Sequence, residues 1–346
     1  MHVLRHIDRD QFHMDFLVHG PETYDFEEEA TQLGAKIIRC RPWHYVPKFQ
    51  RILHEHGPYD AVHSHVHTFS GLPLLLAHRA GVPVRIVHSH CDVPSIDIKP
   101  GLPRRAYLHQ MRKWIDAHST QALAVSQVAR QSLFPNGPSV QILPPSIDLA
   151  PFRSPSIQHP AIPHDALVIG HAGRFTSHKN HEFLVRIAAE IYRAEPRAWF
   201  LFAGDGPLFE KIRSRFPQRA TFTGVCAHVP ALMLGSMYVF VFPSSSEGLG
   251  LAVVEAQAAG LPCVISDRVP FETDVVPALV HRLSLSDPPE RWAAKILALF
   301  KAPPAVTQAA ALAEVERSTF GGLHSVHELA RIYSLASTTR YRPSLI

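Results

Sequence analysis

The sequence is short of several features that would place it in a specialised class of protein. Its four cysteines lie far apart with no C-x-x-C spacing, and only 18% of its residues are charged. No apolar run reaches the roughly 18 residues that a membrane-spanning helix needs. The start has no basic and apolar leader typical of a secretory signal. These absences exclude a disulfide framework and a membrane-spanning protein, and they predict a cytoplasmic location.

The chain also carries little net charge. A net charge of +4 over 346 residues is too small to indicate a nucleic-acid partner, and basic residues are not interleaved with aromatic ones. The length is sufficient for two domains, each with its own core.

Strand-like and helix-like segments alternate in both halves of the chain. Apolar strands, such as those at 59–65 and 84–90, are each followed by a helix-forming stretch. This alternation predicts an α/β fold with parallel sheets covered by helices on both faces. Ligands of such sheets bind beyond the carboxyl ends of the strands. Six prolines interrupt the pattern between 143 and 165 and predict a linker, at Pro144, Pro145, Pro151, Pro155, Pro160 and Pro163.

The most informative stretch is 238–267, which reads YVFVFPSSSEGLGLAVVEAQAAGLPCVISD. Its pattern predicts a strand at 238–242, a helix from about 250 to 259, and a second strand at 262–266. Gly260 ends the helix, because glycine tolerates the left-handed conformation that follows a last helical turn. The stretch therefore predicts a strand-helix-strand unit.

Two carboxylates flank the start of that helix. Glu247 and Glu255 are separated by seven residues, with Gly248 and Gly250 between them. Glycine lets backbone N–H groups approach a phosphate closely, and the positive end of the helix dipole attracts it. Carboxylates accept hydrogen bonds that sugar hydroxyls donate. The pattern therefore predicts a nucleotide-sugar site with a carboxylate on either side of the diphosphate.

These residues resemble a known family. The pattern E-G-x-G-x4-E, followed by A-x-A-A-G-x-P, is similar to the donor site of retaining GT-B glycosyltransferases of the large fourth family, which includes sucrose, mannosyl and exopolysaccharide transferases. Three further motifs agree with the resemblance: G-R-x4-K at 173–179, the strand-end turn at 202–207, and R-I-x-H-S-H at 85–90, as in exopolysaccharide transferases.

The resemblance implies a role for individual residues. Arg174 and Lys179 would grip the donor diphosphate, since a guanidinium fork and an ammonium both suit phosphate oxygens. His90 would lie close to the donor sugar, although Cys91 follows it where the family has Asp or Asn. The implied catalytic residues are His90, Arg174, Lys179 and Glu247. The implied donor-binding residues are Gly173, Arg174, Lys179, Gly204, Glu247, Gly248, Leu249, Gly250 and Glu255.

The resemblance also implies an activity and an architecture. A sugar would pass from a nucleotide-sugar, in particular a UDP-sugar, to a polysaccharide or lipid-linked acceptor with retention of anomeric configuration, and without a metal or cofactor. Two Rossmann-like domains would face a cleft, with an acceptor domain at 1–148, a linker at 149–164 and a donor domain at 165–320. A final helix within 321–346 would cross back to the first domain.

A lipid-linked acceptor would place the protein at the inner face of the plasma membrane. The helix predicted at 102–119 is basic, and such a helix can contact anionic head groups, although a basic run is more often a solvated face. Its basic residues, together with the residue just before it, are Lys99, Arg104, Arg105, Arg112 and Lys113.

Two alternatives compete with the transferase. His63, His65 and His67 follow one strand in an H-x-H-x-H pattern, which also occurs in metal-dependent hydrolases. In addition, residues 1–10 are typical of a helix, whereas the resembling family begins with a strand and a Gly-rich loop. We therefore expect an incomplete first sheet, and a protein that binds nucleotide-sugar with impaired transfer is the second alternative.

Overall fold

The computed structural model describes residues 1–41, 44–91, 101–135, 137, 139–154, 156, 158–216 and 218–335. The chain folds into two compact units, one formed by 1–146 with 323–346 and the other by 147–322. Strands in both units pair in parallel and alternate with helices. The predicted α/β class is therefore confirmed. No helix in the described part of the chain is long and apolar enough to span a membrane.

Helices and strands alternate through most of the chain. The first 146 residues contain α1 (His2–His6), β1 (Phe16–Val18), α2 (Glu27–Gln32), β2 (Ile37–Arg39), α3 (Tyr45–Glu55), β3 (Ala61–Ser64), α4 (Gly71–Arg79), β4 (Val84–Ser89), α5 (Leu102–His118), β5 (Gln121–Ala124), α6 (Gln127–Leu133) and β6 (Gln141–Ile142). The remaining elements are β7 (Leu167–Ala172), α7 (His181–Ala194), β8 (Ala198–Ala203), α8 (Phe209–Arg213), β9 (Ala220–Phe222), α9 (Val229–Ser236), β10 (Val239–Phe242), α10 (Leu251–Ala258), β11 (Cys263–Ser266), β12 (Val280–Leu283), α11 (Pro289–Lys301), α12 (Gln308–Arg317) and α13 (His324–Tyr333).

The second unit is built on one continuous sheet. Its six strands lie in the order β12-β11-β10-β7-β8-β9, and β10 and β11 are buried along their whole length. The sheet packs against α7 and α11 through a large aromatic cluster that includes Phe200, Phe202 and Trp292. Helix α10 ends where Gly260 takes a φ of +76°. The predicted strand-helix-strand unit is confirmed as β10-α10-β11.

The first unit divides its strands between two sheets. One holds β1 and β2, and the other holds β3 to β6 in sequence order. Among the described residues, β1 pairs only with β2 and β3 only with β4. The two sheets share a core, since Leu17 and Val62 pack on the same apolar cluster and the Tyr59 hydroxyl donates to Asp15 at 2.7 Å. Both β1 and β3 thus present an edge that lacks a strand partner in the described part of the chain.

Helix α13 belongs to the first unit. Leu329 and Ile332 pack against residues of β4, β5 and the end of β6. The backbone N–H groups of Ser146 and Ser325 each donate to the other residue's hydroxyl, at 3.1 and 3.2 Å. The end of the described chain is therefore held by both apolar and polar contacts.

The proline-rich segment, which is predicted to be a linker, contains no helix or strand in its described residues apart from a 3-10 turn at Ala150–Arg153. It belongs to the second unit, where Phe152 and Ile162 are buried. Ile147 donates its N–H to the carbonyl of Phe320 at 2.9 Å. The linker at 149–164 stays a prediction: most of its described side chains are exposed, and a few apolar ones pack into the second unit.

We predict that the sheet of β1 and β2 is the least protected part of the fold. Both strands are three residues long and half-buried, and unpaired strand edges favour local opening. Their amides should exchange with deuterium at least about tenfold faster than those of β10, as measured by hydrogen exchange mass spectrometry. Equal protection of β1 and β10 would show that the division of the first sheet has no energetic consequence.

Candidate functional site

The carboxyl ends of β7 and β8 meet so closely that only glycine fits. Gly204 follows β8 with a φ of +133°, and a Cβ on it would lie 2.2 Å from the carbonyl oxygen of Gly173, which follows β7. Any side chain at position 204 would therefore displace the loop that carries Arg174. Gly204, one of the four glycines predicted for the donor site, therefore lets that loop lie against the sheet edge.

The loop after β10 carries Glu247 to the same sheet edge. Gly250 caps α10 with a φ of +97°, and a Cβ there would meet the Val269 side chain at 3.3 Å. Leu249 is buried beside it. The helix has no side-chain cap and no acidic residue in its first turn, so the positive end of its dipole is not offset by its own side chains.

An ion pair joins the two loops. Lys179 Nζ donates to Glu247 Oε1 at 2.6 Å, and the two side chains are only 13% and 9% exposed. The ammonium also lies 4.5 Å from the centre of the Phe242 ring. Ser245 N donates to the carbonyl of His178 at 2.7 Å, so the backbones of the loops are tied together as well. Two residues that the sequence analysis assigned to the donor are therefore in direct contact.

Arg174 lies on the same loop as Lys179, and Glu255 lies in α10. Arg174 is exposed, and neither it nor the half-buried Glu255 carboxylate makes an ion pair or side-chain hydrogen bond among the described residues. Burial raises the pKa of Glu255 above its ordinary value. In the described part of the chain, Arg174 is thus a cation and Glu255 an acceptor without a side-chain partner.

Two buried histidines beneath the donor loops were not foreseen. His171 donates from Nδ1 to the carbonyl of Val241 at 2.9 Å, and its Nε2 has no hydrogen-bond partner among the described residues. The His181 ring stacks on Phe175 with ring centres 4.1 Å apart. Burial lowers the pKa of His181 to about 4, so its ring is neutral near pH 7. The sequence signal for them is their position: His171 lies two residues before Gly173, and His181 lies two residues after Lys179.

His90 lies in the first unit, at the carboxyl end of β4. Its Nε2 and the Nδ1 of His65 are 2.8 Å apart, so the two imidazoles share one hydrogen bond. Burial lowers the pKa of His90 to about 4 and that of His65 to about 3. Both rings are neutral near pH 7, and His65 holds His90 in place.

The histidines of the hydrolase alternative do not lie together as predicted. His63 and His65 are neighbours, but His67 begins a 3-10 turn with a φ of +49° and its Nε2 contacts the Ser132 hydroxyl at 2.8 Å. His88 takes its place, because alternate residues of two paired parallel strands point to one face. The H-x-H-x-H trio is therefore corrected to His63, His65 and His88.

Helix α5 presents fewer free cations than its sequence indicates. Arg112 donates to the carbonyl of Ser132 at 3.3 Å, and Arg104 lies over the Tyr107 ring. Arg105 and Lys113 are exposed, whereas Lys99 lies outside the described residues.

Comparison with known proteins shows the family to which the chain belongs. Residues 153–315 match the model of glycosyl transferases group 1, and residues 1–144 match that of a glycosyl transferase 4-like domain. EpsF of Bacillus subtilis (strain 168), described as a glycosyltransferase, is 35% identical over 86% of this chain and 82% of its own length. The chain belongs to the glycosyl transferases group 1 family. The metal-dependent hydrolase is therefore not favoured.

Two further comparisons describe other members. A galactosyltransferase of Escherichia coli, named for UDP-Gal and an α-D-GlcNAc-diphosphoundecaprenol acceptor, is 25% identical over 60% of this chain and 58% of its own length. The crystal structure of HepE from Anabaena in complex with UDP superposes with a TM-score of 0.74 at 15% identity, over 94% of this chain and 100% of that one. At that identity the structural match shows the GT-B fold class and nothing more.

We predict that the ion pair of this group 1 glycosyltransferase is strongly coupled. Removing one partner leaves a buried charge unpaired. A double-mutant cycle with Lys179→Met and Glu247→Gln should give a coupling energy of about 1–3 kcal/mol in urea unfolding of the second unit. The matched control is the pair Glu190 and Arg193, whose arginine side chain is 72% exposed. A coupling no larger than the control's, which we expect to be below about 0.5 kcal/mol, would contradict the prediction.

Proposed function

We propose that this group 1 glycosyltransferase binds a nucleotide-sugar in its second unit and transfers the sugar with retention of anomeric configuration. The observation that carries the proposal is the largely buried pair of Lys179 and Glu247, whose loops lead to the start of α10 and carry Arg174. Cations, a helix N-terminus and carboxylates in one place suit a ligand that has both a diphosphate and hydroxyl groups. The first unit would supply the acceptor site.

The ion pair need not break when the donor binds. An ammonium has three N–H donors, and Glu247 Oε1 occupies one of them. The others are available to a phosphate oxygen, while Arg174 adds a second cation without giving up a partner. Glu247 keeps Oε2 as an acceptor for a hydroxyl of the sugar. Lys179 would thus bridge the diphosphate and the carboxylate, which fixes the sugar relative to its leaving group.

Glu255 is proposed to bind the ribose. It lies one turn into α10, half-buried and without a partner among the described residues. Because burial disfavours its charged form, hydrogen bonds from the two ribose hydroxyls would stabilise the carboxylate. The two acids would then lie on opposite sides of the diphosphate.

The proposed reaction needs no metal. The bond between the anomeric carbon and the β-phosphate oxygen breaks, and the acceptor oxygen forms a bond to that carbon on the same face. The acceptor's proton passes to the leaving phosphate. Arg174, Lys179 and the start of α10 would stabilise the charge that develops on the diphosphate. His90 is assigned to the transferred sugar, as the one catalytic residue from the first unit.

UDP is the proposed nucleotide, and a polysaccharide or lipid-linked glycan the proposed acceptor. HepE binds UDP, and the Escherichia coli relative is named for a lipid-linked acceptor. A lipid-linked acceptor would bring the protein to an anionic membrane surface, where Arg105 and Lys113 of α5 are the exposed cations.

A panel of nucleotide-sugars tests the proposal. One UDP-sugar should raise the unfolding temperature and be hydrolysed or transferred in the presence of EDTA, with acceptors offered both in solution and in anionic vesicles. The product's anomeric configuration, measured by NMR, should equal the donor's. Inversion would overturn the mechanism, and binding without any turnover would favour the alternative of an impaired nucleotide-sugar-binding protein.

We predict different effects for the two acids. Glu255→Ala should weaken UDP binding about 10- to 100-fold, because each hydrogen bond to a charged group contributes roughly 1.5–3 kcal/mol. Glu247→Ala should change UDP affinity less than about threefold, since it leaves Lys179 free for the phosphates, while discrimination among UDP-sugars is lost. Calorimetry with UDP and with two UDP-sugars measures both. UDP affinity that is unchanged in Glu255→Ala would remove the ribose assignment.

A further inference from the structure

Three imidazoles gather on one face of the sheet in the first unit. His63 and His65 come from the end of β3, and His88 comes from β4. Their ring centres are 4.1, 5.4 and 5.6 Å apart. Two imidazoles bound to one tetrahedral zinc ion through Zn–N bonds of about 2.0 Å keep their ring centres about 5 Å apart. The rings are therefore already spaced almost as metal ligands are.

Each of these rings has one nitrogen fixed from outside the cluster. His63 Nδ1 contacts the Tyr333 hydroxyl at 2.8 Å, His88 Nε2 donates to the carbonyl of Leu143 at 3.2 Å, and His65 Nδ1 contacts His90. Metal-binding histidines typically have their second nitrogen held in this way, which sets the tautomer and aims the first nitrogen at the metal.

The remaining nitrogens point to a ligand. His63 Nε2 and His88 Nδ1 are buried and have no hydrogen-bond partner among the described residues. One ring nitrogen from each of the three histidines lies within 4.8 Å of the others. Buried polar atoms without partners are rare in folded proteins, because each loses its hydrogen bonds to water without gaining one to the protein. The His65 ring packs against His63 and His90, but the residue keeps solvent-exposed surface, so the cluster is open to solvent on one side.

We propose that His63, His65 and His88 form a binding site for one divalent transition-metal ion, of which Zn²⁺ is the representative. Three imidazoles and a water in the fourth position make a common zinc coordination. The rings of His63 and His88 are parallel to within 2°, so one of them turns on binding to bring the metal into both ring planes. The nitrogens close from at most 4.8 Å to the about 3.4 Å that tetrahedral ligands keep.

This site differs from the expectation of no metal that the motifs imply. The resemblance implies no bound metal anywhere in the protein, so the proposed site departs from that implication. Arg174 and Lys179 remain the cations proposed for the donor diphosphate. The histidine cluster lies in the first unit and joins β3 and β4 to α13 through Tyr333. Bound metal would stabilise these elements without taking part in the departure of the diphosphate.

The test is a zinc titration of the full chain, purified without a histidine tag and stripped with EDTA. Competition with a chromophoric chelator should show one equivalent bound more tightly than micromolar, and Co²⁺ should give the intense visible absorption of a tetrahedral site. His63→Gln and His88→Gln should each weaken binding at least about 100-fold. Tyr333→Phe, which removes only the outer hydrogen bond, should weaken it about 10- to 100-fold.

The matched control is His118→Gln. His118 stacks on His78 in the same unit with ring centres 4.8 Å apart, and this pair offers two rings rather than three. Zinc affinity should be unchanged in this variant. Unfolding temperatures in EDTA identify any variant that fails to fold, and the wild-type stoichiometry and the Tyr333→Phe result test the site without relying on the buried substitutions. The proposal is overturned if the wild type binds no stoichiometric zinc, or if folded His63→Gln and His88→Gln proteins bind it like wild type.

Discussion

The candidate donor site depends on the ion pair between Lys179 and Glu247. Each residue comes from a loop after a different buried strand, and burying either charge alone would be costly. Their contact at 2.6 Å therefore holds both loops at one edge of the sheet, and Phe242 beneath the ammonium adds a favourable cation–π contact. Fold stability alone does not account for an ion pair that is so little exposed to water. Apolar side chains at the same positions would often stabilise the fold equally well. A ligand that uses both charges explains it better.

The rest of the second unit serves to hold these loops. Glycine at 204 allows the loop after β7 to lie directly on the end of β8, and the left-handed Gly250 starts α10 at the point where Glu247 needs it. Beneath them the sheet is continuous, and its central strand β10 is buried along its whole length. The first unit has a different character, with its strands divided between two sheets. We therefore expect the second unit to be the more rigid one and the first unit to open more easily.

The secondary structure around the candidate donor site could be predicted from local sequence. The β10-α10-β11 unit lies within one residue of its predicted limits, because an apolar run, paired glycines and Gly260 all act over a few positions. Contacts between distant residues could not be predicted. The missing partner strand between β1 and β3 in the described part of the chain agrees with the expectation of an incomplete first sheet, which rests on the helical pattern of residues 1–10. By contrast, nothing local indicates that Lys179 pairs with Glu247 rather than with solvent. His67 was grouped with His63 and His65 by spacing, but a positive φ turns it away. Residues 268–319 carry no functional motif, although they form β12, α11 and α12.

A crystal structure with an intact, slowly reacting UDP-sugar tests the central claim most directly. The account predicts that Lys179 Nζ lies within hydrogen-bonding distance of both a diphosphate oxygen and Glu247 Oε1, with the diphosphate at the start of α10 and Glu247 Oε2 on a sugar hydroxyl. A diphosphate bound elsewhere, with Lys179 and Glu247 paired only to each other, would contradict it.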